Sequence, residues 1–354
     1  MTTDENKHSG ARKGVAVITG ASAGLGRACA REFAKSGYDV GLLARGTDGL
    51  EAAKREIEAM GRRATYVQVD VADAQAVEQA AAKIEQELGE IDVWVNNAMN
   101  SVFSPIKKME PDDYKRVTDV TYLGQVYGTL SALKRMLPRD RGSIVLVGSA
   151  LAYRGIPLQS AYCGAKHAIQ GFYDSLRTEL MHDKSNVKVT MVQLPAMNTT
   201  QFGFVKSRLP NKPRPMGKIY QPEVAAEVIV YAAEHERREY RVGYPTLKAI
   251  IGNKIAPWYA DYVLANTGFD GQQTNIPEDP NRQNNLYEPL PGDHGAHGTF
   301  DEQATYSSPQ VWLSLHRQEV LTGAVALGAL VLGSLLTKKW RQDGEEDLKQ
   351  DFVI

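Results

Sequence analysis

The stretch GVAVITGASAGLG, residues 14–26, decides the fold that we predict for this chain. Its first six residues form a short apolar run of β type, and the glycine-rich turn TGASAGLG (19–26) follows at once. A helical stretch, residues 25–35, comes next. A strand that turns into a helix over closely spaced glycines is the first unit of a dinucleotide-binding fold. An ordinary glycine-rich turn would share this composition, but its position in the first strand–helix unit favours a nucleotide.

Each glycine of the turn has a physical role. Gly20 permits the tight turn, Gly24 lets the backbone approach a pyrophosphate, and Gly26 allows the helix to pack closely on the strand. The N-terminus of the following helix favours the phosphate charge. The predicted cofactor contacts at this turn are Gly20, Ser22, Ala23, Gly24, Leu25 and Gly26.

Strands and helices alternate along the first half of the chain. After the first unit we predict strands at 38–43, 64–69, 91–95, 142–148 and 187–193, and helices at 48–60, 74–88, 111–137 and 160–182. This alternation indicates an α/β fold with a doubly wound parallel sheet. Its ligand crevice should lie at the carboxyl ends of the strands.

The end of the second strand distinguishes the two dinucleotides. An NAD site usually has Asp or Glu there, which accepts a hydrogen bond from the ribose 2′-hydroxyl. Here Ala44 is followed by Arg45, which removes the repelling carboxylate and supplies a guanidinium for a 2′-phosphate. We therefore predict NADP(H) as the cofactor; the alternative is that Arg45 is a solvated loop charge.

Tyr162 and Lys166 stand four residues apart in YCGAK, thirteen residues after Ser149. This spacing puts the phenol and the ammonium on one face of a helix. A tyrosine pKa near 10 would have to fall to about 7, which needs roughly 4 kcal/mol from a desolvated ammonium and a cofactor charge. The product is a general acid/base for a carbonyl oxygen. A lone pair of this kind is common on helices, with Tyr packed inward and Lys in solvent, so Ser149 and the glycine-rich turn carry the catalytic interpretation.

Together these motifs resemble the short-chain dehydrogenase/reductase family over roughly residues 13–245. The residues that carry the resemblance are TGASAGLG, Asp70 after the third strand, NNA at 96–98, Ser149, Tyr162 and Lys166. The resemblance implies a Rossmann-type fold with a mostly parallel sheet of about seven strands and helices on both faces. It also implies an NADPH-dependent oxidoreductase that acts on a carbonyl or alcohol substrate.

The resemblance gives each site residue a role. Tyr162 would be the acid/base, Ser149 would hold the substrate oxygen, and Lys166 would bind the nicotinamide ribose while lowering the pKa of Tyr162. The other implied cofactor contacts are Asp70, Val71, Asn97, Ala98, Pro195 and Thr199, with Thr200 as an alternative to Thr199. Asp70 and Asn97 could instead satisfy backbone groups in turns, Ser149 could simply end a strand, and Thr199 could cap the next segment.

Three positions depart from the family pattern. Met99 stands where glycine is usual in NNAG, Ala196 follows Pro195 in place of glycine, and Thr121 stands where an asparagine of the proton relay is expected. Thr121 matters most, because it could weaken or reroute proton exchange with solvent. The alternative function is a catalytically impaired NADPH-binding scaffold or sensor, with or without a membrane tether.

Five regions are predicted along the chain. They are a polar tail (1–12), the Rossmann catalytic domain (13–245), an irregular extension (246–317), a hydrophobic helix (318–340) and a second polar tail (341–354). Residues 266–310 are rich in Asn, Gln, Pro, Gly and Asp, which predicts an extended or partly disordered segment, with draping over the core as one arrangement.

The hydrophobic helix is a candidate membrane anchor. Its charge-free run, 320–336, would be about 25 Å long as a helix, at the lower limit for a bilayer. Lys338, Lys339 and Arg341 follow it, and Trp312 and Trp340 bracket it as interfacial residues can. The alternatives are a helix buried against the enzyme or an oligomer, or one lying in the membrane interface. The expected location is the cytoplasm, with this segment as a possible tether to the cytoplasmic face of a membrane.

Net charge, pI and residue content limit the classes of partner and ligand that we expect. A net charge of −1 and a pI of about 6.7 give no reason to expect nucleic acid. Cys29 and Cys163 fit a reducing compartment, and no metal is expected because His294 and His297 lack further ligands nearby. Phe202 and Phe204 suggest an apolar lid, hence an apolar carbonyl or alcohol substrate, or else surface packing. The family resemblance also implies a homodimer or homotetramer.

Overall fold

A computed structural model of the chain describes residues 12–323, 325, 327, 330–332 and 334. The predicted tail 341–354, the tail 1–12 apart from Arg12, and part of the hydrophobic helix 318–340 lie outside these residues. The chain divides into two compact units, one that ends at Ser308 and one that begins at Pro309. The predicted domain boundaries themselves stay predictions.

The first unit is built on a parallel sheet of seven strands. These are β1 Gly14–Thr19, β2 Tyr38–Ala44, β3 Ala64–Gln68, β4 Ile91–Asn96, β5 Ser143–Val147, β6 Lys188–Gln193 and β7 Glu239–Arg241. They stand in the order β7-β6-β5-β4-β1-β2-β3, and every neighbouring pair is parallel. β1, β2 and β5 are buried along nearly their whole length, as strands covered on both faces must be. The predicted fold class is confirmed.

Helices flank this sheet. The helices of the first unit are α1 Gly24–Lys35, α2 Thr47–Ala59, α3 Ala74–Leu88, α4 Pro111–Thr118, α5 Gly124–Met136, α6 Ser160–His182, α7 Gln201–Phe204, α8 Pro222–Glu234, α9 Gly243–Ile255 and α10 Pro257–Thr267. α1 packs against α2 and α8, whereas α3 packs against α5 and α4 against α6. The predicted strands and helices up to β6 agree with the observed ones to within two residues, with one exception.

The exception is the predicted helix 111–137, which is two helices. A π-helical turn, Asp119–Leu123, separates α4 from α5. At this turn the Thr121 hydroxyl bonds to the backbone of Asn100, and Gly124 lies so close to Val71 that an added Cβ would stand 2.6 Å from its Cγ2 atom. A wide turn of this type often marks a functional site.

Regular helix also replaces part of the irregular extension expected at 246–317. α9 and α10 occupy its first part, and Pro257 at the start of α10 has a fixed φ that suits a helix start. The sequence shows no apolar stripe of helical period here, because these helices bury no continuous apolar face. Large side chains such as Trp258 and Tyr262 are exposed by 72% and 68%. The expectation of irregular chain there was wrong.

The rest of the extension up to Ser308 returns to the core through short strands. Gln273–Pro277 pairs antiparallel with Asn211–Pro213. Ile219–Tyr220 lies between Ala196–Met197 and Ala304–Thr305, parallel to both. Two further short strands, Val102–Phe103 and Lys206–Ser207, pair with each other. The extension therefore lies over the core, as one of the expected arrangements had it.

The second unit begins with helix α11, Pro309–Leu315. Helical residues follow a turn at His316. Among the residues that the structure describes, no helix is both long enough and apolar enough to cross a membrane. The predicted run 320–336 falls only partly among those residues.

Candidate active site

A cavity of about 540 Å³ opens at the carboxyl ends of the central strands, where the fold predicts a ligand crevice. Every residue predicted for catalysis or cofactor binding lines it. They are Gly20, Ser22, Ala23, Gly24, Leu25, Gly26, Arg45, Asp70, Val71, Asn97, Ala98, Ser149, Tyr162, Lys166, Pro195 and Thr199. The fold thus brings the predicted set together, while the contact of each residue with a ligand stays a prediction.

The glycine-rich turn has the shape that a phosphate-binding turn requires. Gly20 and Gly24 have φ values of +69° and +57°, a region that favours glycine. A Cβ on Gly26 would stand 2.1 Å from the backbone oxygen of Gly20, so only glycine fits there. These glycines keep side chains away from the backbone where α1 begins, and the turn therefore fits a dinucleotide phosphate.

Ser149 stands just after β5 with its hydroxyl already oriented. Its backbone N–H donates to Gln193 Oε1 at 2.7 Å, and its Oγ accepts from the Leu151 N–H at 3.1 Å. Because the oxygen lone pair is engaged by an N–H, the hydroxyl hydrogen is available for a second acceptor. The group is thus set to donate to an oxygen in the cavity.

Lys166 is buried on α6, with 1% of its surface exposed. Its amine donates to the backbone oxygen of Val147 at 2.6 Å, an atom that also accepts from Gln125 Nε2 at 3.1 Å. Burial lowers the pKa of Lys166 to about 7. The amine therefore titrates near neutral pH.

Tyr162 faces the same cavity one helical turn earlier. Burial raises its pKa above the ordinary value, and a hydrogen bond with the Ser149 side chain lowers it by less. The protein's own groups therefore do not lower the pKa of Tyr162 as its spacing from Lys166 predicted. The physical reason is that burial penalises the charged form of each group. The pKa of Tyr162 therefore rises and the pKa of Lys166 falls.

Asp70 and Asn97 are both held by the protein. The Asp70 carboxylate accepts from the Ala72 N–H at 3.0 Å and from Arg116 at 2.5 Å. The Asn97 amide donates to the backbone oxygen of Thr19 at 2.9 Å. Both residues thus satisfy backbone groups, as the alternative role has it, and both also line the cavity.

Thr121 is fully buried, and its hydroxyl both donates to the Asn100 oxygen and accepts from the Asn100 N–H, each at 2.9 Å. It therefore anchors the chain that follows β4. Met99 and Ala196, the other two departures from the family pattern, line the cavity.

Arg45 has partners that the sequence did not reveal. Its guanidinium donates to the backbone oxygens of Asn285, Leu286 and Tyr287, in the extension. We call residues 285–295 the strap. Its cavity-lining members are Asn285, Pro289, Leu290, Gly292 and His294. One sequence signal could have indicated a role for the strap in the site. A long stretch without predicted secondary structure inside a compact domain is usually functional.

The two histidines of this region have protein partners. His297 Nε2 lies 2.8 Å from Glu223, and the His294 ring contacts the Phe204 ring edge-on at 5.3 Å. Within the described part of the chain, no group of three or more potential metal ligands stands together.

Fold and cavity define a class: a Rossmann-type protein with a nucleotide-shaped cleft that ends at a serine, a tyrosine and a lysine. The family model for short chain dehydrogenases matches residues 14–208. The chain belongs to the short-chain dehydrogenase/reductase family and is an oxidoreductase of that family.

Relatives share this assignment. The chain is 31% identical over 316 residues to the uncharacterized oxidoreductase YxnA of Bacillus subtilis (strain 168), covering 89% of this chain and 88% of that one. It is 37% identical over 185 residues to dehydrogenase/reductase SDR family member 7B of Mus musculus, covering 51% of this chain and 57% of the relative's length.

Solved structures are also similar. An alcohol dehydrogenase from the archaeon Thermococcus sibiricus, complexed with 5-hydroxy-NADP, superposes with a TM-score of 0.55 at 28% identity, covering 64% of this chain and 94% of that one. A metagenomic short-chain oxidoreductase in complex with NADP gives a TM-score of 0.56 at 26% identity, with 65% and 97% covered.

Proposed function

We propose that this chain is an NADP(H)-dependent oxidoreductase that interconverts a carbonyl and an alcohol. The observation that carries the proposal is that Ser149, Tyr162 and Lys166 line the same cavity as the glycine-rich turn and Arg45. NADP(H), when bound, supplies or accepts the hydride. The turn at 19–26 would hold its phosphates, and Arg45 its 2′-phosphate. The two solved relatives that carry NADP or its derivative support this choice of cofactor.

The chain's own residues handle the proton. Ser149, whose hydroxyl is hydrogen-bonded to Tyr162, turns its hydrogen to the substrate oxygen and fixes that oxygen beside Tyr162. The raised pKa keeps the Tyr162 hydroxyl protonated at neutral pH, so it gives its proton to the oxygen during reduction. Oxidation runs the same transfer backwards, and a positive charge beside the phenol favours that direction because it stabilises the phenolate. The buried Lys166 amine is placed to supply such a charge when protonated.

Part of the cavity lining suits a substrate with an apolar body. Leu151, Ile156 and Met216 belong to this lining. Phe202, also in the lining, contacts Phe103 and Phe300 edge-on at 6.1 and 5.9 Å. These contacts support the apolar lid that the sequence suggested. The proposed substrate is therefore an apolar ketone, aldehyde or alcohol.

A substrate panel tests the function. Purified protein is given NADPH with aliphatic, aromatic and sugar carbonyls, and absorbance of NADPH is followed, with Tyr162→Phe as the inactive variant. Tyr153→Phe is a matched control, since Tyr153 bonds to Glu239 and serves no proposed chemical role. We expect turnover of apolar carbonyls that Tyr162→Phe lowers by roughly 10²–10⁴-fold. NADPH binding without turnover of any carbonyl would favour the scaffold or sensor, and activity confined to sugars would refute the apolar substrate.

We further propose a cytoplasmic location with a membrane tether at 318–340. Among its described residues, Val325 and Leu330 are exposed by 71% and 73%. α9 and α10 separately expose aromatic side chains, including Trp258 and Tyr262, a residue type that settles at membrane interfaces. Vesicle co-sedimentation of the full chain and of a chain that ends at residue 317 tests this tether. Equal partition of the two chains would refute it.

The same exposed side chains could instead meet a second copy. The family resemblance favours a homodimer or homotetramer. Sedimentation velocity of both chains gives the oligomeric state, and a monomer at all concentrations would contradict the proposed oligomer.

A further inference from the structure

The strap, residues 285–295, contributes five residues to the cavity lining and is fixed by side chains and backbone groups of residues 24–116. Its centre is Leu286. The Leu286 backbone oxygen accepts from Asn100 Nδ2 at 2.9 Å, from Arg116 Nε at 3.0 Å and from Arg45 at 3.5 Å. A carbonyl oxygen has two lone pairs, so three donors saturate it. The strap forms no regular secondary structure, and the core side chains thus satisfy backbone groups that would otherwise be buried without partners.

The side chain of Leu286 adds an apolar anchor. It is fully buried and packs in a cluster with Val102, Val117 and Ala161. The neighbouring Tyr287 hydroxyl donates to the buried Asp113 carboxylate at 2.9 Å. The first third of the strap is thus attached to α4 and α6.

The other end of the strap is attached to the glycine-rich turn. The Gly24 N–H, in the turn proposed to hold the phosphates, donates to the Gly295 oxygen at 2.9 Å. Arg27, with 1% of its side chain exposed, lies 3.3 Å from Asp293. The Gly292 N–H donates to Asp48 at the start of α2. Strap and turn therefore form one wall of the cavity.

Between these ends the strap lies directly on the loop after β2. A Cβ built on Gly46 would stand 3.6 Å from Pro289 Cβ. Arg45, the residue before Gly46, contributes its terminal nitrogens to the strap. A guanidinium has five N–H donors, so Arg45 retains donors for a phosphate while it holds the strap.

We propose that the strap is a second wall of the nucleotide site, which holds NADP(H) in the cleft and makes its exchange slow. This inference rests on the proposed function. Residues 14–208, which match the family, supply most of the cavity lining, and the strap adds five further residues to it. A nucleotide beneath the strap leaves only after anchors at Leu286, Asp293 or Gly295 open. Arg45 links release of the nucleotide to opening of the strap, because it contacts the strap and is placed to bind the 2′-phosphate.

A reversible cross-link tests this proposal. The 3.6 Å separation lies in the range for the two Cβ atoms of a disulfide. We therefore place cysteines with Gly46→Cys and Pro289→Cys, oxidise with oxidised glutathione, and verify the bond by mass. The native Cys29 and Cys163 are buried. NADPH dissociation is then followed by its fluorescence in stopped flow, with excess NADP⁺ as the competitor.

Locking the strap should slow dissociation at least tenfold, and dithiothreitol should restore the rate of the reduced form. Gly46→Cys alone should not respond to oxidation. Equal exchange rates in the oxidised and reduced double variant would overturn the proposal, and so would failure of the pair to cross-link.

A loosened strap gives the opposite result. Leu286→Ala should speed NADPH dissociation at least tenfold and raise hydrogen exchange at 285–295. Leu88→Ala, a similar truncation at the end of α3, should change dissociation less than twofold. If wild-type protein binds no NADPH, the proposed function fails; if it binds NADPH and both strap variants exchange it like wild type, only the strap proposal fails.

Discussion

The amine nitrogen of Lys166 lies 5.5 Å from the centroid of the Tyr162 ring. Burial moves the pKa values of the two groups in opposite directions, down to about 7 for Lys166 and upward for Tyr162. Each shift favours the neutral form. At neutral pH the phenol is therefore uncharged and the amine is about half protonated, so a charge that enters the cleft shifts the protonation of the amine.

Lys166 should make the protein more stable as pH rises. Between pH 7 and about 10.5 the unfolded chain holds a proton on this lysine that the folded chain has lost, so the free energy of unfolding increases with pH in this window. The slope from one such group is at most about 1.4 kcal/mol per pH unit. Urea unfolding at pH 7, 8 and 9 measures it. Lys166→Met should remove this contribution and the exposed Lys107→Met should not; parallel pH curves for wild type and Lys166→Met would contradict the assignment.

Thr121 should be needed for the shape of the chain after β4. Thr121→Val removes a donor and an acceptor from the buried Asn100 backbone and should lower the free energy of unfolding by about 1–3 kcal/mol. Thr121→Ser keeps the hydroxyl and should lose much less. Urea denaturation of both variants measures the difference. Equal stability of the two would show that the paired hydrogen bonds contribute nothing.

Local patterns predicted most of the sheet and a set of site residues that all line the cavity. The turn at 19–26 and the pair Tyr162–Lys166 could be located because strand–turn–helix order and helical spacing are encoded by neighbouring residues. Arg45 could also be placed, because the end of β2 is a fixed position in the fold.

Contacts between distant residues could not be predicted. Arg116 and Leu286 are 170 residues apart, and their bond uses a backbone oxygen, which every residue type has. The identity of residue 286 therefore gives no information about this hydrogen bond. The spacing of Tyr162 from Lys166 also could not reveal that burial raises the Tyr162 pKa, since burial is a property of the whole fold. The lowering of this pKa by a cofactor charge stays a prediction.

Arg45 should favour NADP⁺ over NAD⁺ through its charge. Arg45→Met loses a charge-assisted bond to the 2′-phosphate, and such bonds contribute about 1.5–3 kcal/mol, which is roughly 10- to 100-fold in the ratio of the two dissociation constants. Isothermal titration with both nucleotides gives that ratio. Leu286→Ala loosens the strap without changing charge, so it should weaken both nucleotides alike. A ratio unchanged in Arg45→Met would remove Arg45 from cofactor selection.

Gly26 should tolerate no side chain. Gly26→Ala places a Cβ 2.1 Å from the Gly20 oxygen and 2.7 Å from Asn97 Nδ2, so the turn and α1 must separate. We expect a loss of about 1–3 kcal/mol in the free energy of unfolding, together with weaker NADPH binding. Gly171→Ala on α6 meets no atom within 4 Å and should instead stabilise the protein by about 0.5–1 kcal/mol. Thermal unfolding and NADPH fluorescence titration report both quantities, and a Gly26→Ala variant that binds NADPH like wild type would refute the close approach of phosphate and turn.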